Sequence, residues 1–336
     1  MGDRAVHALE QAWLVPPRLL LLLLPLEWLF ALVTALRRRA YERGWLKKEH
    51  PGVPVIVVGN LSVGGTGKTP VVIALVRALE AEGMRPAVIS RGYGGTYSGV
   101  QRVRADSDAR VMGDEAVLIA SSVASPVYVG RDRVSAARAA VAAGASLIVS
   151  DDGLQHYALA RDVEIVTMDS SLRFGNGHLL PVGPLREEPR RMAGVDFVLE
   201  RGGKEPLTAL RFVPRHFRRL GSDEIRPLQT RDFDGGVHAL AAIARPERFF
   251  TTLAELGITA QPHALGDHEA LSEALLRSLG DRPLIMTSKD AVKCPASLHP
   301  DAWVLEMEVL FPEGFVESLL GHLKRLNADI ARETGP

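Results

Sequence analysis

The sequence is poor in several things, and each shortage excludes something. It has one cysteine, Cys294. No intrachain disulfide is possible, which fits a reducing compartment. No local motif surrounds Cys294, so it reads as a packed thiol and not as a nucleophile. Net charge is also missing. Lys+Arg 40 and Asp+Glu 40 cancel, and no bulk charge argues for a nucleic-acid partner. There is no internal repeat at solenoid period. No small-residue cleavage site follows the one long apolar run, which argues against a cleaved signal peptide. What is there, 336 residues, is enough for one large α/β domain or two smaller ones.

The stretch from Val55 to Thr69 organises the chain. Val55-Ile56-Val57-Val58 is a β-branched run, the pattern of a buried parallel strand. A glycine-rich turn follows and ends in Gly67-Lys68-Thr69. Val71, Val72, Leu75, Val76 and Leu79 then recur at helical spacing. Strand, turn, Lys-Thr and helix make a phosphate-binding loop. Backbone N–H groups of Gly64, Gly65, Thr66 and Gly67 close round a phosphate, Lys68 reaches the β- and γ-phosphates of a nucleotide, and the Thr69 hydroxyl ligates Mg²⁺. One glycine of the usual spacing is lacking: five residues before Gly67 stands Ser62.

Residues 1–50 differ in character. Leu19 to Leu24 is an unbroken leucine run, continued by Pro25-Leu26-Glu27-Trp28-Leu29-Phe30-Ala31-Leu32-Val33. A helix needs about 20 apolar residues to cross a bilayer. This run is near that length, but a charge such as Glu27 at mid-span costs roughly 2.5–3.5 kcal/mol. It reads as a membrane anchor, spanning or lying in the interface with Trp13 and Trp28 near the headgroups. A helix packed on the domain is the alternative. The basic cluster Arg37-Arg38-Arg39 and Lys47-Lys48 puts the rest of the chain on the cytosolic side.

From Pro54 onward strands and helices alternate, which predicts an α/β fold with a doubly wound, mostly parallel sheet. Strands are expected over residues 87–90, 126–129, 147–152 and 163–168, with an alanine-rich helix over 135–143. Residues 202–227 are rich in Arg, Gly and Pro and read as a loop-rich junction. Beyond it a second, smaller α/β lobe is expected, with strands near 237–243, 284–287 and 302–309, and helices over 246–256 and 313–326. The domains are then 1–50, an apolar anchor with a basic flank; 51–225, a nucleotide-binding domain; and 226–336, a lobe that closes a cleft.

Asp151 and Asp152 end a buried strand where the second motif of such NTPases belongs, placed to hold Mg²⁺ between the β- and γ-phosphates. Gln155 and His156 follow at once. Asp114 opens an apolar helical stretch, and the residues alone leave a cap and a catalytic group both open. Asp267-His268 is a second acid–imidazole pair. Arg131, Arg133 and Arg186 offer guanidinium groups for phosphates.

Gly59-Asn60-Leu61-Ser62-Val63-Gly64-Gly65-Thr66-Gly67-Lys68-Thr69-Pro70, Ser90-Arg91-Gly92-Tyr93, Gly113-Asp114-Glu115, Asp151-Asp152-Gly153-Leu154-Gln155-His156 and Leu185-Arg186-Glu187 follow one another in the chain. In this order they resemble the motifs of tetraacyldisaccharide 4′-kinase, the inner-membrane kinase of lipid A biosynthesis. Ser62 fits that family's own loop. The resemblance implies ATP-dependent phosphorylation of the 4′-hydroxyl of a tetraacylated glucosamine disaccharide 1-phosphate. It implies Asp114 as base with His268 as its partner, and Asp151, Asp152, Gln155 and Glu187 around Mg²⁺ with Thr69. It implies Lys68, Arg131, Arg133 and Arg186 on phosphates. Ala242 and Ala244 replace small glycines frequent in the family, which bears on the hinge of the second lobe. A membrane-tethered P-loop ATPase driving a protein partner is the rival reading, and a soluble small-molecule kinase a third.

Overall fold

The computed structural model describes residues 13, 18–229, 231–267, 269 and 271–333. In chain order the strands are β1 (Val55–Gly59), β2 (Pro86–Ser90), β3 (Val100–Val103), β4 (Val127–Gly130), β5 (Leu147–Asp151), β6 (Val163–Asp169), β7 (Phe197–Arg201), β8 (Ala209–Arg219), β9 (Ile225–Arg226), β10 (Val237–Ala241), β11 (Ala260–Ala264), β12 (Leu284–Thr287) and β13 (Ala302–Leu310). The helices are α1 (Leu24–Glu42), α2 (Lys68–Ala81), α3 (Ala109–Met112), α4 (Asp114–Ser122), α5 (Arg133–Ala142), α6 (Pro246–Glu255), α7 (Glu273–Ser278), α8 (Ser288–Ala291) and α9 (Phe315–Glu333). One sheet runs in the order β11-β10-β12-β13-β8-β7-β6-β1-β5-β2-β4-β3, with β9 beside β8. Its pairings are parallel except β3–β4, β8–β13 and β8–β9.

The β-branched run of β1 is buried at every residue, between β5 and β6. Both its faces must therefore be covered. On one, Val71, Val72, Leu75, Val76 and Leu79 of α2 are buried against Ile56 and Val58. Each such side chain contributes about 1.5–3 kcal/mol. On the other, Val134, Ala136, Ala137 and Ala140 of α5 pack with Val55 and Val57. The first layer also holds Phe315, Leu319 and Leu323. The last helix, expected in the second lobe, thus packs on the core of the first, with Phe315 edge-on to Phe197 at 5.2 Å.

The expected loop junction is overturned at its centre. Residues 209–219 form β8, whose first residues pair with β7 and whose remainder pairs with β13. The two lobes share one sheet through this strand. The junction's Arg and Pro content hid the strand, and the structure explains both. Pro214 sits where the register shifts between Glu306 and Met307, and a bulge removes the need for its missing N–H. Arg211 and Arg215 are exposed while Leu210 and Phe217 are buried.

Helix α1 is amphipathic in an inverted sense. Glu27 is buried, its carboxylate accepting from the Leu179 N–H at 2.8 Å and meeting His178 Nδ1 at 2.9 Å. Phe30 and Ala31 continue this face against the second core layer. The opposite face presents Leu26, Trp28, Leu29, Leu32, Val33 and Leu36 to the outside, and Leu22, in the 3-10 turn Arg18–Leu23 that leads into the helix, is exposed as well. The charge that argued against a span is thus turned onto the protein, between the exposed Leu26 and Trp28. By length and composition residues 20–42 also suffice to cross a membrane. Trp13 departs from its expected place near headgroups: it is buried, and its Nε1–H donates to the Pro181 carbonyl at 3.1 Å.

Candidate active site

The carboxyl ends of the parallel strands open onto a cleft of about 1410 Å³ between the lobes. Open α/β sheets bind ligands at this edge. The turn after β1 forms one wall. Gly67 sits at φ +80°, just before α2, a backbone state that glycine adopts without steric cost. Thr66 braces the loop from within, its Oγ1 accepting from Asn60 Nδ2 at 3.2 Å and meeting Thr167 Oγ1 at 3.0 Å. Ser62 needs no glycine. It forms an antiparallel bridge with Leu185, flanked by Val63 N–H to Pro184 carbonyl at 2.8 Å and Arg186 N–H to Leu61 carbonyl at 2.7 Å. The loop is therefore stitched to the Leu185-Arg186-Glu187 segment.

Lys68 reaches across the cleft floor to Asp152, Nζ to Oδ1 3.6 Å, and Arg186 holds the same carboxylate at 3.1 Å. Burial drives the Asp152 pKa up, but these two cations outweigh it and hold the carboxyl below its ordinary range. Asp151 is the opposite case. Burial, then the negative charges of Glu115 and Asp152, push it up to about 7. Its Oδ1 is buried with no hydrogen-bond partner among the described residues. A buried carboxylate short of positive charge fits a cation site. With the Thr69 hydroxyl and the Gln155 amide the donors are all oxygen, which suits Mg²⁺ and not a soft metal. Among the described residues no three His, Cys, Asp or Glu side chains group as metal ligands. Mg²⁺ commonly binds through one or two carboxylates and fills its shell with phosphate oxygens and water.

Arg133 lines the cleft and Glu187 does not, and both brace the residues beside them. Arg133 is buried, and its guanidinium donates to the carbonyls of Asp151 at 2.7 Å and Asp152 at 3.3 Å and to Ser150 Oγ at 2.9 Å. It fixes the strand end that carries the acids. Glu187 is buried too, its oxygens accepting from Gln155 Nε2 at 3.0 Å and Tyr157 OH at 2.6 Å. It orients Gln155. Arg131 is exposed on the cleft wall. His156, also on the cleft, is pushed down to about 4 by burial and by Arg133, Arg161 and Arg37, so it stays neutral.

Asp114 is the first residue of α4, buried, with one carboxylate oxygen accepting from the Glu115 N–H at 2.8 Å. Glu115 lines the cleft. Across from it stand Asp267 and Lys289 of the smaller lobe, Nζ to Oδ1 2.9 Å. His268, expected to pair with Asp114, lies outside the described residues. The lobes are also joined at Asp169, which ends β6. Arg248 Nη2 donates to its Oδ1 at 2.9 Å, and Ser171 Oγ donates to the same oxygen at 2.6 Å.

Comparison with known proteins assigns the family. The model of the family described as tetraacyldisaccharide-1-P 4′-kinase matches residues 19–324. The tetraacyldisaccharide 4′-kinase of Methylobacillus flagellatus is 41% identical over 97% of this chain and 98% of its own. That of Halorhodospira halophila is 46% identical over 91% and 94%. The chain belongs to the tetraacyldisaccharide-1-P 4′-kinase family. A solved structure of LpxK from Aquifex aeolicus, described as an "apo" form in complex with ATP, shares the fold, with TM-score 0.75 and 24% identity over 92% of this chain and 99% of that one.

Of the residues expected at the site, Gly64 to Thr69, Arg131, Arg133, Asp151, Asp152, Gln155 and Arg186 line one cleft in the structure. Sequence reasoning missed Tyr157, Lys289 and Arg248. Lys289 had a signal: it follows the carboxyl end of β12, where the sites of parallel sheets lie.

Proposed function

We propose that this kinase-family chain transfers the γ-phosphoryl group of ATP to the 4′-hydroxyl of a tetraacylated glucosamine disaccharide 1-phosphate, at the cytoplasmic face of a bacterial inner membrane. One observation carries the proposal: the phosphate loop and the apolar-faced helix meet in a single cleft. Phe30, Thr34 and Arg37 of α1 line the same cavity as Lys68 and Asp152. An acyl chain resists leaving the bilayer, at about 0.8 kcal/mol per exposed CH₂. A helix apolar outside and polar towards the cleft suits an acceptor whose chains stay in lipid while its sugar reaches the nucleotide.

The phosphoryl step needs positioning and charge neutralisation more than covalent chemistry. Lys68 and Arg186, already held against Asp152, face the phosphates, with Arg131 on the wall. Thr69, Asp151, Asp152 and Gln155 would hold Mg²⁺, and Glu187 and Arg133 hold those residues in place. Bound Mg²⁺ neutralises charge across the β- and γ-phosphates. Asp114 orients the acceptor hydroxyl and takes its proton late in transfer. The family resemblance proposes His268 as its partner. The test is incubation with γ-labelled ATP and the disaccharide 1-phosphate in mixed micelles, followed by chromatography of the lipid. Label in a more polar lipid is expected. Labelled inorganic phosphate alone would overturn the proposal.

A further inference from the structure

Lys289 belongs to no motif of the nucleotide site, yet its surroundings are unusual for a lysine. Its side chain is only 16% exposed, with Nζ 2.9 Å from Asp267 and 3.7 Å from Glu115. Asp267 belongs to the smaller lobe, and Glu115 follows Asp114 on α4 of the larger one. One ammonium therefore touches carboxylates on both walls of the cleft.

The lysine is presented by a stiff support. Thr287 caps α8, its Oγ1 accepting from the Asp290 N–H and donating to Asp290 Oδ2 at 2.6 Å. Asp290 is fully buried, and its Oδ2 also accepts from the Ala242 N–H at 3.1 Å, while Lys293 pairs with its other oxygen at 3.1 Å. Ser288 Oγ donates to Glu306 Oε2 at 3.2 Å. Thr287, Ser288 and Asp290 are thus tied to the smaller lobe, while the Lys289 ammonium reaches Glu115 on α4, which α8 packs against. Burial works against the ammonium, but Asp267, Glu115 and Asp114 outweigh it and hold its pKa above the ordinary value. The charge is therefore kept throughout neutral pH.

We propose that Lys289 is a positioning residue: it ties the Asp267 turn of the smaller lobe to the N-terminal end of α4, and so sets where Asp114 stands relative to the nucleotide. Without its ammonium between them, Asp267 faces Asp114 and Glu115 across the cleft, and their repulsion separates the walls that must meet round the acceptor. The effect on turnover rests on the reading of Asp114 as base. The docking itself does not.

The test compares Lys289→Met and Lys289→Arg with the wild-type full chain. Lys289→Met should lower kcat for the lipid acceptor by up to about a hundredfold, the scale on which a misplacement of about 1 Å acts. The KM for ATP should stay within about twofold, because the nucleotide site is not touched. Amide exchange should quicken in peptides covering 263–267 and 113–118. Lys289→Arg, which keeps the charge, should restore most of both. Unchanged kcat in Lys289→Met would overturn the proposal, even with faster exchange. So would equal losses in both variants together with lowered Tm and weakened ATP binding, which mark a general structural role. A wild-type protein that labels no lipid strikes the functional reading instead, and exchange in the two peptides then decides the docking by itself.

Discussion

Lys68 contributes charge and little packing, so its removal isolates the electrostatic part of the site. Lys68→Ala should cut kcat by roughly 10²–10³-fold, the usual scale for losing one preorganised stabiliser of developing charge. Circular dichroism should show the fold intact. Gly67 tests geometry instead. A Cβ there meets the Phe212 ring at 2.8 Å, at φ +80°. The ring can move, but the left-handed backbone still costs an alanine about 1–2 kcal/mol. Gly67→Ala should therefore weaken ATP binding about tenfold or more, measured by nucleotide titration, and Phe212→Ala should restore only part of it. Such residues were legible because their spacing is local: strand, loop and Lys-Thr lie within the fifteen residues from Val55 to Thr69. Tyr157 and Arg248 were not, since they act on Glu187 and Asp169, 30 and 79 residues away. Only folding brings them together.

Among the elements, α1 shows how far composition reads and where it stops. The leucine run announced an apolar helix, and the helix is there with most of its apolar side chains outside. Composition could not tell which side chains turn inward, because that depends on His178 and the Leu179 N–H, some 150 residues on. The two faces separate by mutation. Changing Trp28, Leu29 and Leu32 to serine together should release the protein from liposomes in a flotation assay with Tm unchanged. Glu27→Ala should keep membrane binding but lower stability by about 1–3 kcal/mol, because a buried N–H loses its acceptor. Strand β8 was illegible for another reason. Its pairing partner β13 lies some 90 residues away, and its Arg and Pro content mimics a loop.

At the scale of the molecule, two lobes share a sheet and clasp at Asp169. Burial alone would raise that carboxyl, but hydrogen bonds from Arg248 and Ser171 bring it down to about 2, from an ordinary 3.8. A depressed folded pKa gives stability that is present above about pH 4 and is lost as pH falls through 2. The linkage amounts to roughly 2 kcal/mol at neutral pH. Asp169→Asn should lose about that much at pH 7 and lack the corresponding slope in Tm between about pH 4 and 2. The central claim is that this cleft delivers a phosphoryl group to a lipid hydroxyl and not to water. It is tested most directly by counting ADP released against labelled lipid formed, with and without the disaccharide 1-phosphate. The account predicts one labelled lipid per ADP, slow ADP release when the acceptor is left out, and loss of lipid labelling in Asp114→Asn. ADP release at the same rate with or without acceptor, and no label in lipid, would contradict it.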